Sequence, residues 1–186
     1  MSDQPPARHA LVQAAKRLLP ERAPSAVTGR ELAAAAGVNY GLIHHYFGGK
    51  DAVFREALLE LRAEFLSAHE AHDLPNLVIE PHNPYLRAVG RSQIDYPNEV
   101  GPVDDFPIGE SMVAVVRTRV REANPSWTDA EVEVEARARV IAMLCMQLGY
   151  GLYREMLLAT AAVSRSQQPS VEQALARIYR EVTATG

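Results

Sequence analysis

The stretch TGRELAAAAGVNYGLIHHYFGGKDAVFREALL, residues 28–59, decides the fold. Thr28-Gly29-Arg30-Glu31 is a capping box: the Thr28 hydroxyl accepts from the backbone N–H of Glu31, and the Glu31 carboxylate reaches back to the N–H of Thr28. Leu32 and the alanines 33–36 continue a short helix, which Gly37 ends because glycine enters the left-handed region at little cost. Asn39 is placed to cap a second short helix, with Ile43 and Phe47, one turn apart, as its buried face. Gly48-Gly49 stops that helix. Asp51 is placed to cap a longer one, in which Val53, Phe54, Ala57, Leu58, Leu61, Phe65 and Leu66 make a wide apolar stripe. The pattern predicts two short helices across a tight turn, then a long helix.

Working outward, Leu11, Ala14, Ala15 and Leu18 lie on one helical face, and Pro20 and Pro24 bracket the end of that helix. On the far side, residues 72–84 hold three prolines and read as a loop. Helices are expected over 85–96 and 108–123, the second ended by Asn124-Pro125. Ser126 or Thr128 caps a long helix. In its first part Glu131, Glu133 and Glu135 alternate with Val132 and Val134, the acids reading as a solvated face. Its second part, Val140 to Tyr153, is apolar nearly all round and must be buried on several sides. Gly149 and Gly151 mark the place for a kink or a close helix approach. A loop over 164–170 and a last helix over 171–182 complete the chain. No strand pattern, repeat or low-complexity tract interrupts this all-α reading. The expected domains are 1–52 and 53–186.

The 186 residues are 47% hydrophobic and 23% charged, values of a folded domain rather than a disordered chain. A single cysteine, Cys145, excludes an intrachain disulfide framework and a multi-cysteine zinc site. The start, MSDQPPARHA, has no apolar signal-peptide core, and residues 140–152 are too short a run to span a membrane. A cytoplasmic protein without membrane contact is expected. The net charge of −4 conceals an asymmetry. Residues 1–55 carry seven Lys/Arg against four acids, so the head is basic and the body acidic. A basic head allows a local anion-binding surface. There is no glycine-rich phosphate loop, nucleophile elbow or H-E-x-x-H, which argues against an enzyme and gives no reason to expect a cofactor. His69 and His72, at i and i+3, keep a helical metal sensor open as the alternative, beside a protein-interaction module.

Several features between Leu11 and Leu59 sit in one register: LVQAAKRLL, the capped Thr28, Ala36-Gly37-Val38 at the turn, Gly41, Tyr46-Phe47 and Lys50. This segment resembles the DNA-binding head of TetR-family transcriptional regulators. The family usually carries tyrosine at the position of His44, and a glycine in the loop where this chain has Ala23-Pro24. The resemblance implies an N-terminal three-helix helix-turn-helix domain joined to a C-terminal helical domain that binds an effector and dimerises through its last helices. The implied function is a sequence-specific regulator, a repressor released from its operator by a small molecule.

In a helix-turn-helix the second helix enters the major groove while the first crosses the backbone. Here these are about 29–36 and 39–46. Arg30, Asn39, Tyr40 and His45 are then the candidates for base edges. Thr28, His44, Tyr46 and Lys50 are the candidates for phosphates. Gly41, without a side chain, lets the backbone approach the groove. Two heads of a homodimer on a palindromic duplex compensate for the thin positive charge. Val171, Ala174, Leu175, Ile178 and Val182 offer a second dimer stripe beside the apolar long helix. Candidates for a mainly apolar effector with one hydrogen-bonding end are Phe65, His69, Tyr85, Met112, Val116, Met143, Gln147 and Tyr150. Gln147 either hydrogen-bonds within the core or faces a cavity. The helix over about 51–70 is the expected lever between body and head.

Overall fold

The computed structural model describes residues 6–68, 83–95 and 107–183. These form α1 (Pro6–Leu18), α2 (Gly29–Ala36), α3 (Gly41–Phe47), α4 (Lys50–Ala68), α5 (Pro84–Asp95), α6 (Pro107–Ala123), α7 (Asp129–Thr160) and α8 (Gln168–Thr183), with a short 3-10 turn at Pro24–Ala26. Among the described residues there is no strand. The chain divides into two compact units, one holding α1 to α5 and the other α6 to α8.

In the first unit α1 is the hub, packed on α2, α3 and α4. Leu11, Val12, Ala14 and Ala15 of α1 have no solvent exposure, nor have Leu32, Val53, Phe54 and Ala57 from the helices around it. Polar contacts flank this apolar seam. Arg8 makes a two-pronged ion pair with Glu56 at 2.7 and 2.5 Å, while Gln13 and Lys16 reach Glu60 at 3.2 and 3.3 Å and Lys16 also pairs with Glu64. These fix α1 along α4. Ile43 is buried as expected, but Phe47 is only half-buried, with the Arg8 guanidinium lying 4.9 Å from its ring centre. The α4 stripe is buried at Val53, Phe54, Ala57, Leu58, Leu61 and Phe65; the side chain of Leu66 lies outside the described residues. α4 begins at Lys50, so Asp51 stands inside the first turn, where its carboxylate meets the positive end of the helix dipole, and does not precede the helix as a cap.

α5 belongs to the same unit. Asn83 caps it, its Oδ1 accepting from the N–H groups of Tyr85 and Leu86 at 3.0 and 3.2 Å, and Pro84 takes the first helical position. The unit thus keeps the whole of α4 and α5 with the head, whereas the expected boundary at residue 52 separates α4 after its first turn.

In the second unit α7 is central, packed on α6 and α8. Thr128 is its cap and Glu131 closes a second capping box, with bonds of 3.3 and 2.7 Å. The expected kink falls at Tyr153 (φ −115°, ψ 16°), two residues beyond Gly151. The acids of the first part of α7 do more than face solvent. Glu133 bonds Arg117 at 2.6 Å and Arg137 at 2.7 Å, and Glu135 bonds Arg139 at 2.7 Å. The Arg117 hydrogen bond holds the Glu133 carboxyl below its ordinary pKa.

Candidate nucleic-acid interface

The candidate interface lies around the N-terminal ends of α2 and α3. The capping box forms as the sequence predicts: Thr28 Oγ1 accepts from the Glu31 N–H at 3.2 Å, and the Thr28 N–H donates to Glu31 Oε2 at 2.7 Å. These backbone and hydroxyl bonds, with Arg22 alongside, pull the Glu31 carboxyl down to a pKa of about 2. α2 ends on Gly37, whose φ of +68° is left-handed, and the Val38 N–H closes the end onto the Ala33 carbonyl at 3.0 Å. Arg17 adds a bond from α1 to the Ala35 carbonyl at 3.2 Å. Both ends of α2 are therefore held.

α3 runs from Gly41 to Phe47, starting two residues later than the expected 39–46, with Tyr40 leading into it. Asn39 still caps: its Oδ1 accepts from the Gly41 N–H at 2.8 Å. A methyl group on Gly41 would lie 3.3 Å from that oxygen, so glycine keeps clearance for the cap as well as for approach to a duplex. Tyr40 lies over Gly29, where an added Cβ would meet the ring at 2.7 Å. That contact joins the front of α3 to the front of α2, and the sequence pattern does not show it. Gly48, with φ of +77°, ends α3.

Thr28, Arg30, Asn39, Tyr40, Gly41, His44 and His45 are all exposed, and Tyr46 and Lys50 are half-buried. Arg30 stands on the first turn of α2. His45 meets Tyr46 edge-on at 4.7 Å. Two of the expected phosphate ligands have other partners. His44 bonds the Tyr40 hydroxyl and the Gly48 carbonyl, each at 3.1 Å. Lys50 donates to the carbonyls of Pro24 and Val27 at 3.0 and 2.8 Å, tying the start of α4 to the loop before α2. From α5, Arg87 bonds the Pro20 carbonyl and Glu21 at 2.9 and 3.0 Å, and Asp95 accepts from the Ser25 N–H at 2.6 Å. The loop that presents Thr28 is thus braced by both α4 and α5.

The described effector candidates divide between the two units. Phe65 and Tyr85 stack in the first, ring centres 5.1 Å apart, and burial raises the Tyr85 pKa. Met112, Val116 and Met143 are buried in the second unit. Gln147 is buried and hydrogen-bonds Tyr179, which is the core-pairing alternative of the two left open by the sequence. The Tyr150 hydroxyl donates to Glu172 at 3.1 Å, and Arg154 clasps the same carboxylate at 2.6 and 2.8 Å. His69, His72 and the other residues of that segment lie outside the described residues. Among the described residues no three His, Cys, Asp or Glu side chains cluster as metal ligands, and no helix is long and apolar enough to cross a membrane.

Two capped short helices across a glycine turn, resting on a third and exposing polar side chains at their N-terminal ends, make a helix-turn-helix DNA-binding protein. Residues 11–57 match the family model described as bacterial regulatory proteins, tetR family. An HTH-type transcriptional repressor of Mycobacterium tuberculosis is 29% identical over 178 residues, 91% of this chain and 87% of that protein. The HTH-type transcriptional regulator BetI of Rhizobium meliloti is 41% identical over 76 residues, 39% of this chain and 37% of that one. A TetR-family regulator from Streptomyces coelicolor A3, known from its crystal structure, aligns with 98% of this chain and 99% of its own at 17% identity, with a TM-score of 0.33. The match over residues 11–57 and these relatives support a DNA-binding transcriptional regulator similar to the TetR family.

Proposed function

We propose that the protein is a repressor that binds a palindromic duplex as a homodimer and is released by a small, mainly apolar effector. The observation that carries the dimer is an exposed apolar surface shared by α7 and α8. Val134, Ala138, Ile141 and Cys145 recur on one face of α7 and are all exposed, with Ile141 at 61%. Ala142 of α7 and Ile178 and Val182 of α8 extend it. A monomer that left this surface in water would forgo its burial. A dimer buries it and doubles the heads available to successive major grooves, about 34–36 Å apart.

Within each head, Arg30, Asn39, Tyr40 and His45 take base edges, and Thr28 and Tyr46 take phosphates. Lys50 has one N–H left for phosphate after its two carbonyls. The effector binds residues of the body and opposes DNA reciprocally, through a coupling of roughly 1–3 kcal/mol. α4 is the lever, and the family resemblance gives no reason to assign a catalytic residue, a cofactor or a place outside the cytoplasm. The test is selection of bound duplexes from a random pool at two salt concentrations, with sedimentation of the same preparation. An enriched palindrome, affinity falling steeply with salt and a dimeric mass are expected. A sedimenting monomer, or no enrichment after ligand is stripped by unfolding and refolding, refutes the reading.

A further inference from the structure

We infer that His44 is a positioning residue for Tyr40 and thereby sets which base edge Tyr40 accepts; this rests on the reading of α3 as the helix that meets bases. One of the two hydrogen bonds fixes a proton on the ring. The Gly48 carbonyl only accepts, so Nδ1 of His44 carries the hydrogen across their 3.1 Å bond. In the neutral ring Nε2 then holds a lone pair, and the Tyr40 hydroxyl, 3.1 Å away, donates to it. The Tyr40 hydrogen is turned back into the protein. What its hydroxyl offers outward is lone pairs alone.

The ring is fixed as well. Tyr40 is 43% exposed, yet it packs against Gly29 on one side and meets the His44 ring edge-on at 5.3 Å and 87° on another. Such a side chain enters a complex already ordered, so less freedom is lost on binding. An acceptor-only hydroxyl on an apolar ring fits the amino edge of adenine or cytosine, or the thymine methyl. It is mismatched to guanine, whose major-groove atoms accept, and to phosphate. Tyr40 is therefore a discriminating residue, and His44 enforces that character. A phenylalanine at position 44 removes the acceptor and frees the hydroxyl to donate.

The test uses the full-length dimer and the duplex enriched from the random pool, with single base changes along one half-site and a scrambled duplex as the non-specific reference. Tyr40→Phe and His44→Phe are each expected to lose about tenfold in discrimination at the same base pair, within the range of one good base contact. Binding to the scrambled duplex should stay within about twofold, since phosphate contacts are untouched. The double variant should lose no more than either single one, as expected of two residues acting as a unit. His44→Gln, which retains an acceptor, should retain the preference. In the free protein, imidazole 15N shifts should report the Nδ1–H tautomer of His44. If His44→Phe keeps full discrimination, or weakens selected and scrambled duplexes equally, the assignment is overturned while the DNA-binding reading stands. If the wild-type chain selects no duplex at all, both fail.

Discussion

Replacing Lys50 by methionine separates two roles that the same ammonium group can play. The change keeps the unbranched stem beside Phe54 and removes the charge. Two bonds go with it, to Pro24 O at 3.0 Å and to Val27 O at 2.8 Å. Hydrogen bonds from a charged donor contribute about 1.5–3 kcal/mol each. The Pro24 carbonyl retains the Val27 N–H at 3.2 Å as a partner, so its loss is partial. Val27 is fully buried and its carbonyl loses a charged donor. The expected cost of Lys50→Met is therefore about 2–3 kcal/mol, or roughly 5–10 °C in melting temperature for a chain of this size. Thermal unfolding followed by circular dichroism measures it, and DNA affinity across a salt series measures the other role. Loss of one phosphate contact lowers the salt slope by about 0.9. An unchanged melting temperature with a salt slope smaller by about 0.9 would refute the anchoring argument and leave Lys50 as a phosphate ligand alone.

Removing the Thr28 cap with alanine should lower stability by about 1 kcal/mol, read by chemical denaturation. The same change keeps the Thr28 N–H bond, the largest cause of the Glu31 shift, and removes the hydroxyl, so the Glu31 carboxyl should rise from about 2 only part of the way toward 4.5 in an NMR titration. Because that pKa is depressed in the folded chain, its contribution is fully present above pH 4.5 and fades as pH falls toward about 2; an unshifted Glu31 in the wild-type protein would sink this account. In the second unit, burial pushes the Tyr179 hydroxyl up to about 12 against the opposing pull of Gln147. A raised pKa means that the stability tied to the neutral phenol is complete below pH 10 and is lost as pH rises toward about 12, which tyrosinate absorbance tracks. Tyr179→Phe should cost about 1–3 kcal/mol by leaving the Gln147 amide without that bond, and a variant as stable as the parent would show that the pair contributes nothing.

Local signals in the sequence were readable wherever a few neighbouring residues decide the outcome. Thr28 with Glu31, and Thr128 with Glu131, predict helix starts because both partners of each capping box lie within one turn. Gly37 and Gly48 predict helix ends because the required φ is positive. Asn39 was legible as a cap, although α3 proper begins at Gly41. The uses of Lys50 and Gln147 were not legible in the same way. Spacing marks Lys50 as a charge near the end of α3, but its acceptors belong to the loop before α2. Gln147 is polar in an apolar run, and only the packing of α8 against α7 supplies Tyr179. The Tyr40–His44 spacing of one helical turn allows a contact, yet which nitrogen accepts follows from the Gly48 carbonyl that fixes the other.

The sequence by itself determined an all-helical chain, the capped pair of short helices with its glycine turn, and an apolar long helix in the body. These follow from periodicity and from backbone preferences that act over one or two turns. Tertiary structure decided which polar groups are spent. It bound Lys50 to the α2 loop, gave Gln147 and Tyr150 partners on α8, and kept α4 and α5 in one compact unit with the head. The physical reason is that a buried polar group must find a partner wherever packing brings one, and the partner's place in the chain leaves no mark beside it in the sequence.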